Sequence, residues 1–223
     1  MVLSMLKAVC RVHTSLITIL IVSESLIAGC KIKKDTLPFY NTADFTAEWI
    51  APGDAGYNNI HIIDTFALQN QLGHIITKDS LEGYIYVANF FFTTCPGICP
   101  KMTSNLQILQ DTFTTNNQIK FVSFTVNPST DSVSRLKEYG ENHNINPNKW
   151  YLLTGNKDRI YKLGRQSYFS EKRLGLQRDS SDFLHTESML LIDTKGRIRG
   201  LYNGTDKKDI GRIAEDVEIL LRE

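Results

Sequence analysis

Two cysteines four residues apart offer the clearest chemistry in this chain. They lie in the segment Thr93-Thr94-Cys95-Pro96-Gly97-Ile98-Cys99-Pro100, which leads into a pattern typical of a helix. Residues four apart share one face of a helix, and a helix N-terminus favours the anionic thiolate. Paired thiolates are soft donors that suit Cu(I), and the same pair could close a disulfide. The loop therefore predicts soft-metal binding, thiol redox chemistry, or both.

Two thiolates do not complete a metal site, so a third donor is expected. The histidines beyond residue 30 are His61, His74, His143 and His185. The first three are expected at the surface, whereas His185 opens a predicted strand after a polar stretch. Spacing alone leaves a structural role for His185 open. Met102 is a softer alternative donor, but its place in a helical apolar stripe favours a core position.

The elements that must position the cysteines begin with the strand before them. Residues 84–92 carry no charge and are rich in β-branched and aromatic types, which predicts a central strand buried on both faces. After the cysteines, Met102, Leu106, Leu109 and Phe113 recur at helical spacing, which predicts an amphipathic helix of about 15 residues.

The rest of the chain alternates between short strands and helices. Strands are predicted at 60–68, 74–76, 119–126, 150–154, 187–193 and 197–202, and helices near 131–143, at 157–166 and from about 206. Thr130 or Asp131 is expected to cap the helix near 131–143. The strands at 60–68 and 74–76 predict a hairpin. This order predicts an α/β fold with a mixed central sheet flanked by helices and an added N-terminal hairpin.

Composition excludes several classes of protein. The chain has 223 residues, 42% of them hydrophobic, with 25 Lys and Arg against 24 Asp and Glu. Such a composition is that of a globular protein and excludes collagen-like, disordered and disulfide-dense chains. A formal net charge of +1 gives no basic excess of the kind that nucleic-acid binding requires, so no nucleic-acid partner is expected.

The first 29 residues predict a lipoprotein signal peptide. Lys7 and Arg11 precede an apolar run at 16–22, and Ile27-Ala28-Gly29-Cys30 resembles the bacterial lipobox, in which the cysteine is lipidated. An uncleaved signal anchor is the alternative, which Glu24 disfavours because a carboxylate is costly in a bilayer. Either way, the domain would lie on the extracytoplasmic, periplasmic face of a bacterial membrane.

Removal of the signal peptide and lipidation would reduce the number of free thiols. Residues 30–58 lack a sustained period and predict a membrane tether with an irregular lead-in to a domain at 59–223. Removal of 1–29 would leave 23 basic and 23 acidic residues and would remove Cys10. With lipid on Cys30, only Cys95 and Cys99 would remain as thiols.

Several motifs in order carry a family resemblance over about 60–223. They are Asp64-Thr65-Phe66-Ala67-Leu68, the segment from Phe90 to Pro100 around the cysteines, Val126-Asn127-Pro128-Ser129-Thr130-Asp131-Ser132, Trp150-Tyr151-Leu152-Leu153-Thr154-Gly155, and His185-Thr186 before Leu191-Ile192-Asp193. On these motifs the domain resembles the SCO/SenC family of membrane-tethered, thioredoxin-like copper proteins that assist cytochrome c oxidase assembly. Two departures are Asn127, where the family usually has Asp, and Leu184, where it often has Asp before the histidine.

The resemblance implies that Cys95, Cys99 and His185 are ligands of copper, as Cu(I), Cu(II) or both. Asp131 matches an acid of the family, and we expect Asp131 and Asp182 to lie near the ligands. The implied function is a metallochaperone that delivers copper to the copper centre of a respiratory oxidase, or reduces its cysteines. The copper-centre subunit of that oxidase, another copper chaperone or a thiol reductant, and the membrane through the lipid are the implied partners. The residues require no enzymatic turnover.

Other interpretations of the cysteines stay open. A periplasmic thiol–disulfide oxidoreductase is the main one, although such enzymes mostly have two residues between their cysteines where this chain has three. A structural disulfide would close a very short loop and constrain little of the unfolded chain. Structural zinc, haem attachment and a peroxidase fit less well, because their ligand sets or motifs are incomplete here. Residues 165–178 predict either a loop over the site or a docking surface, or else a solvated surface loop.

Overall fold

The structure is a computed structural model that describes residues 36–170 and 186–223. Its strands are β1 (Phe39–Tyr40), β2 (Ala47–Glu48), β3 (Ala67–Gln69), β4 (Ile75–Thr77), β5 (Ile85–Phe91), β6 (Ile119–Thr125), β7 (Trp150–Leu153), β8 (Ser188–Ile192) and β9 (Ile198–Asn203). Its α-helices are α1 (Ile98–Thr112), α2 (Val133–Asn142), α3 (Lys157–Lys162) and α4 (Lys207–Leu220). Short 3-10 turns at Tyr57–Asn59 and Asp79–Leu81 and a π-helical turn at Leu163–Ser167 complete these elements.

The main sheet is mixed and has the strand order β7-β6-β5-β8-β9. β5, β6 and β7 run parallel, while β8 is antiparallel to β5 and β9 to β8. β3 and β4 form a separate antiparallel hairpin, as do β1 and β2. The prediction of an α/β fold with a mixed sheet and an added hairpin is therefore confirmed.

β5 is the central strand, and all seven of its side chains are buried. Alternate residues face opposite sides, so Val87 and Phe91 pack with α1 and α4 while Ala88 and Phe90 pack on the other face with Tyr168. Burial on both faces explains why the strand carries no charge. The apolar stripe on α1 that includes Met102 lies in the first of these two cores.

The predicted strand at 60–68 is wrong over most of its length, because only Ala67–Gln69 pairs as a strand. The backbone N–H groups before it donate elsewhere: that of His61 to the Asn41 side chain, that of Ile63 to the carbonyl of Gly196, and that of Asp64 to Ser167 Oγ. Backbone groups that are satisfied in this way need no neighbouring strand.

The segment at 36–58 is irregular but packed, and the compact unit starts at Asp35. Leu37 and Phe39 are buried in or beside the core. Arg199 on β9 donates to the carbonyl oxygens of Leu37 and Pro38 at 2.7 and 3.0 Å. The lead-in is thus held against the sheet edge by side-chain hydrogen bonds, which a search for periodicity does not detect. Among the described helices, none is long and apolar enough to span a bilayer.

Candidate metal and thiol site

The two cysteines lie at the end of β5, where the chain turns into α1. β5 ends at Phe91, and α1 begins at Ile98, one residue before Cys99. Neither cysteine is in a disulfide, and 6% of Cys95 and 1% of Cys99 is exposed. The predicted position of the pair at a helix N-terminus is confirmed. Both cysteine side chains are therefore almost completely buried at the start of α1.

The two thiols differ in acidity. Burial raises the pKa of Cys95, but the backbone N–H and thiol of Cys99 and the N–H groups of Gly97 and Ile98 outweigh it, so the net pKa is lowered. Burial raises the pKa of Cys99, and the neighbouring Cys95 raises it further. A negative charge on the pair therefore settles on Cys95, the residue at which the helix N–H groups converge.

Asp131 holds the loop that carries the cysteines. Its buried carboxylate accepts hydrogen bonds from the backbone N–H of Thr93 at 3.1 Å and the hydroxyl of Thr93 at 2.6 Å. It also accepts one from the hydroxyl of Thr125 at the end of β6. The carboxylate therefore joins the ends of β5 and β6 two residues before Cys95.

This use of Asp131 overturns the predicted helix cap. The N-cap of α2 is Ser132, whose hydroxyl accepts a hydrogen bond from the backbone N–H of Arg135 at 3.3 Å. Asp131 cannot fill that position because its oxygens are already engaged with threonines. The sequence pattern located the acid near the site, but not its partners.

Tyr139 on α2 is a neighbour of the thiols that the sequence analysis missed. Its hydroxyl lies 2.9 Å from that of Thr103, which stands one helical turn after Cys99. Burial, together with the charges of Cys99 and Cys95, raises the pKa of Tyr139 to about 12. The phenol is therefore neutral at physiological pH and ties α2 to α1 beside the thiols. The helical spacing of Tyr139 with the buried Leu136 was the available signal.

The histidines differ from expectation in two cases. His74 is exposed, as predicted. His61 is half-buried, with Nε2 2.8 Å from the Ser167 carbonyl oxygen, and His143 is half-buried against the ring of Tyr139. Both rings pack on aromatic side chains, which patterns of polarity do not show. Met102 is in the core, as expected.

Three predicted site residues, Cys30, Asp182 and His185, lie outside the described residues. Within 36–170 and 186–223, no three His, Cys, Asp or Glu side chains form a group that could hold a metal ion. Of the stretch at 165–178, only the first six residues are described, and among them Tyr168 and Phe169 are buried.

A dithiol at the start of the helix that follows the central strand of such a sheet defines a thioredoxin-like dithiol protein. The chain belongs to the SCO1/SenC family, whose sequence model matches residues 55–222. Among curated relatives, the SCO1 protein homolog of Bacillus subtilis is 30% identical over 159 residues, which cover 70% of this chain and 81% of that protein. The family resemblance read from the motifs is confirmed.

Solved structures give the same family and the same fold. BsSco, described as having a disulfide switch and belonging to the Sco family of cytochrome c oxidase assembly proteins, is 29% identical with a TM-score of 0.60 over 72% of this chain and 94% of that one. A SCO1/SenC family lipoprotein of Bacillus anthracis is 28% identical, with a TM-score of 0.63 over 73% and 96%. Yeast Sco1, solved with copper bound, is 23% identical with a TM-score of 0.54 over 70% and 92%, and supports the fold alone. The thioredoxin-like fold is confirmed.

Proposed function

We propose that this protein is a membrane-tethered, extracytoplasmic copper metallochaperone that delivers copper to the copper centre of a respiratory cytochrome c oxidase. The observation that carries the proposal is the pair of nearly buried thiols at the start of α1, which are not joined in a disulfide and one of which has a lowered pKa. Two thiolates are donors that Cu(I) prefers, and membership of the Sco family supports an oxidase partner. Another copper chaperone or a thiol reductant would supply the site.

Copper is the cargo of this site, and the loop suits its transfer. Cys95 is the more exposed of the two cysteines, at 6% against 1% for Cys99, so an incoming ligand reaches it first. A partner thiolate could therefore replace Cys95 and then Cys99 one at a time, without copper ever being released to water. His185 is proposed as the third ligand, and Asp131 and Asp182 as carboxylates that position the ligands.

An anaerobic Cu(I) titration of the chain from residue 31 onward tests this proposal, since that chain keeps the whole compact unit from Asp35. We expect one tightly bound copper per reduced chain, lost in Cys95→Ser and in Cys99→Ser and weakened in His185→Ala. His74→Ala is the matched control, because His74 is exposed. Unchanged copper binding in both cysteine variants would overturn the proposal.

A thiol–disulfide reductase is the second candidate, and the unequal thiols favour it. The Cys95 thiolate would attack a partner disulfide and form a mixed disulfide, releasing one partner thiolate, which takes up a proton. Cys99 would then lose its proton and attack the Cys95 sulfur, which releases the second partner thiol and leaves a Cys95–Cys99 disulfide. An external thiol reductant must restore the dithiol. Rapid reduction of a disulfide substrate by protein that binds no copper would establish this role.

We further propose that lipid on Cys30 anchors the protein, with residues 1–29 as the signal peptide. The lipobox-like segment supports this, as does the lipoprotein described for Bacillus anthracis. Labelling of the full chain in bacterial cells with a radioactive fatty acid tests it. The label should be lost in Cys30→Ser and kept in Cys10→Ser, and labelling of Cys30→Ser would refute the anchor.

A further inference from the structure

A cleft of about 570 Å³ opens at the end of the sheet opposite the cysteines. It lies where β5 begins and where β8 turns into β9, so the length of β5, about 20 Å, separates it from Cys95. Its volume is within the range of sites for small organic molecules. Of the proposed copper-site residues that the structure describes, none lines it.

One side of this cleft is aromatic. Trp49 and Tyr57 line it, together with the buried Phe39, and 64% of Trp49 is exposed. Phe39 and Tyr57 meet edge to face with their ring centroids 6.4 Å apart. An indole this exposed leaves most of its surface in water, so a planar ring that packed against it would remove apolar area from water.

Arg197 supplies an unusual polar group at the same place. Its guanidinium lies over the rings of Phe39 and Tyr57, at 4.7 and 5.4 Å from their centroids, and only 11% of the side chain is exposed. Nε donates to Asp193 at 2.8 Å and Nη1 to the Tyr57 hydroxyl at 3.1 Å. Of the five N–H groups of the guanidinium, only these two have partners among the described residues.

The charges around the cleft favour an anion. Its described lining carries four cations, Lys195, Arg197, Arg199 and Arg222, against the carboxylates of Asp54, Asp193 and Glu223. Each of these carboxylates already accepts hydrogen bonds: Asp54 from the Ala51 N–H, Asp193 from both internal arginines, and Glu223 from Arg199. The hydrogen bond from Arg197, its charge and that of Lys195 lower the pKa of Tyr57, as a positive potential at the cleft would do.

We propose that this cleft binds a small aromatic carboxylate. The carboxylate accepts hydrogen bonds from the free edge of Arg197 and from the Tyr57 hydroxyl, whose proton is not needed by Arg197. The ring packs against Trp49, and the ammonium of Lys195, which lies 5.9 Å from the Tyr57 ring, adds a second positive charge. An aliphatic carboxylate or a phosphate would satisfy the arginine but leave the indole exposed.

Parallel titrations with benzoate, acetate and inorganic phosphate at constant ionic strength test the proposal, on the chain from residue 31 onward. Trp49 emission is the readout, because the second tryptophan, Trp150, is buried in the core. We expect benzoate to bind at least tenfold more tightly than acetate or phosphate. Absence of benzoate binding, or equal binding of all three, would overturn it.

Variants separate the cleft from general effects on the fold. Arg197→Gln should reduce benzoate affinity at least tenfold, measured by calorimetry on protein with an unchanged circular dichroism spectrum. Lys195→Gln avoids the risk of unfolding, because Lys195 is exposed, and should weaken binding several-fold. Lys120→Gln is the matched control, since its ammonium also lies over a tyrosine ring, 4.9 Å from the centroid of Tyr84, but outside the cleft. Equal affinity of Lys195→Gln and Lys120→Gln would contradict the assignment.

Discussion

At the end of β5 that leads to the cysteines, one buried carboxylate accepts hydrogen bonds from neutral donors, whereas at the other end two carboxylates pair with two arginines. Asp131 binds Thr93 and Thr125. Asp193 and Glu223 instead bind Arg199, which joins β9 to the lead-in and to the last residue. The difference shows that buried ion pairs hold the lead-in and the last residue against β9, whereas neutral hydrogen bonds hold the cysteine loop. In the described part of the chain Asp131 forms no ion pair, although Arg135 donates to the Thr93 hydroxyl at 3.4 Å.

The largest effect should follow from removing the buried ion pairs of Arg199. Arg199 is 2% exposed, and Arg199→Ala would remove both ion pairs and leave the carbonyl oxygens of Leu37 and Pro38 without a donor. Removal of one partner from a buried ion pair costs about 3–5 kcal/mol. We expect the free energy of unfolding in urea, measured by circular dichroism, to fall by about that amount.

The control for this variant is an exposed ion pair. Arg212 lies 2.7 Å from Asp209 on α4, but 58% of its side chain is exposed. Arg212→Ala should cost less than about 1 kcal/mol, because water and salt screen such pairs. Equal losses of unfolding free energy in Arg199→Ala and Arg212→Ala would show that the buried ion pairs of Arg199 stabilise the fold no more than an exposed pair does, which would contradict the comparison.

A smaller and more local effect should follow from Asp131→Asn. The amide keeps the shape of the side chain but presents N–H donors to hydroxyl and N–H groups that need an acceptor. An unsatisfied buried group costs about 1–3 kcal/mol, so we expect a loss of about 2 kcal/mol in urea. Because Thr93 stands two residues before Cys95, the alkylation rate of Cys95 should rise as well.

The comparison becomes sharper with two controls for Asp131→Asn. Asp111→Asn on α1 changes an exposed carboxylate and should leave both stability and alkylation unchanged. Arg199→Ala should destabilise the fold without changing the rate at which iodoacetamide modifies Cys95 under native conditions. A change of that rate in Arg199→Ala, with none in Asp131→Asn, would show that the cysteine loop is not held locally.

The sequence predicted what local patterns encode. Charge-free residues around β5 and the stripe of α1 indicated the strand, the helix and the place of the cysteines between them. It failed where a side chain binds a partner distant in sequence. Asp131 looked like a helix cap because its bonds to Thr93 span 38 residues. The extended segment before β3 looked like a strand because its backbone partners are side chains and a turn, which alternation does not show.

Unequal thiols give a pH-dependent prediction for the cysteine end. Helix N–H groups and the Cys99 thiol lower the pKa of Cys95, so its thiolate persists to lower pH than that of an ordinary cysteine. Burial raises the pKa of Cys99, so its thiolate appears only at higher pH. One pKa unit changes the thiolate fraction about tenfold. We expect Cys95 to react with iodoacetamide at least about tenfold faster at pH 7, as peptide mass spectrometry would show.

Two variants of Cys99 show whether its side chain contributes. Cys99→Ser keeps a donor and should leave the midpoint of the Cys95 pH–rate profile below that of free cysteine. Cys99→Ala removes the donor and should move the midpoint upward. An identical midpoint in both variants would leave the helix N–H groups as the sole cause, and a midpoint at the ordinary value in the native protein would refute the asymmetry.

The smallest effect should come from the hydroxyl pair of Tyr139 and Thr103. Tyr139→Phe keeps the ring against Phe91 but leaves the buried Thr103 hydroxyl without its partner, at a cost of about 1 kcal/mol. Tyr151→Phe is the control, because no hydrogen bond of its hydroxyl is present in the described part of the structure.

A double-mutant cycle with Thr103→Val isolates the bond itself. If neutral hydrogen bonds hold the cysteine end as the comparison requires, Tyr139→Phe with Thr103→Val should cost less than the sum of the two single changes. The reason is that no buried donor or acceptor then stays unsatisfied. Strictly additive losses in urea would show that the two hydroxyls act separately, and that α1 and α2 are held beside the thiols by apolar packing alone.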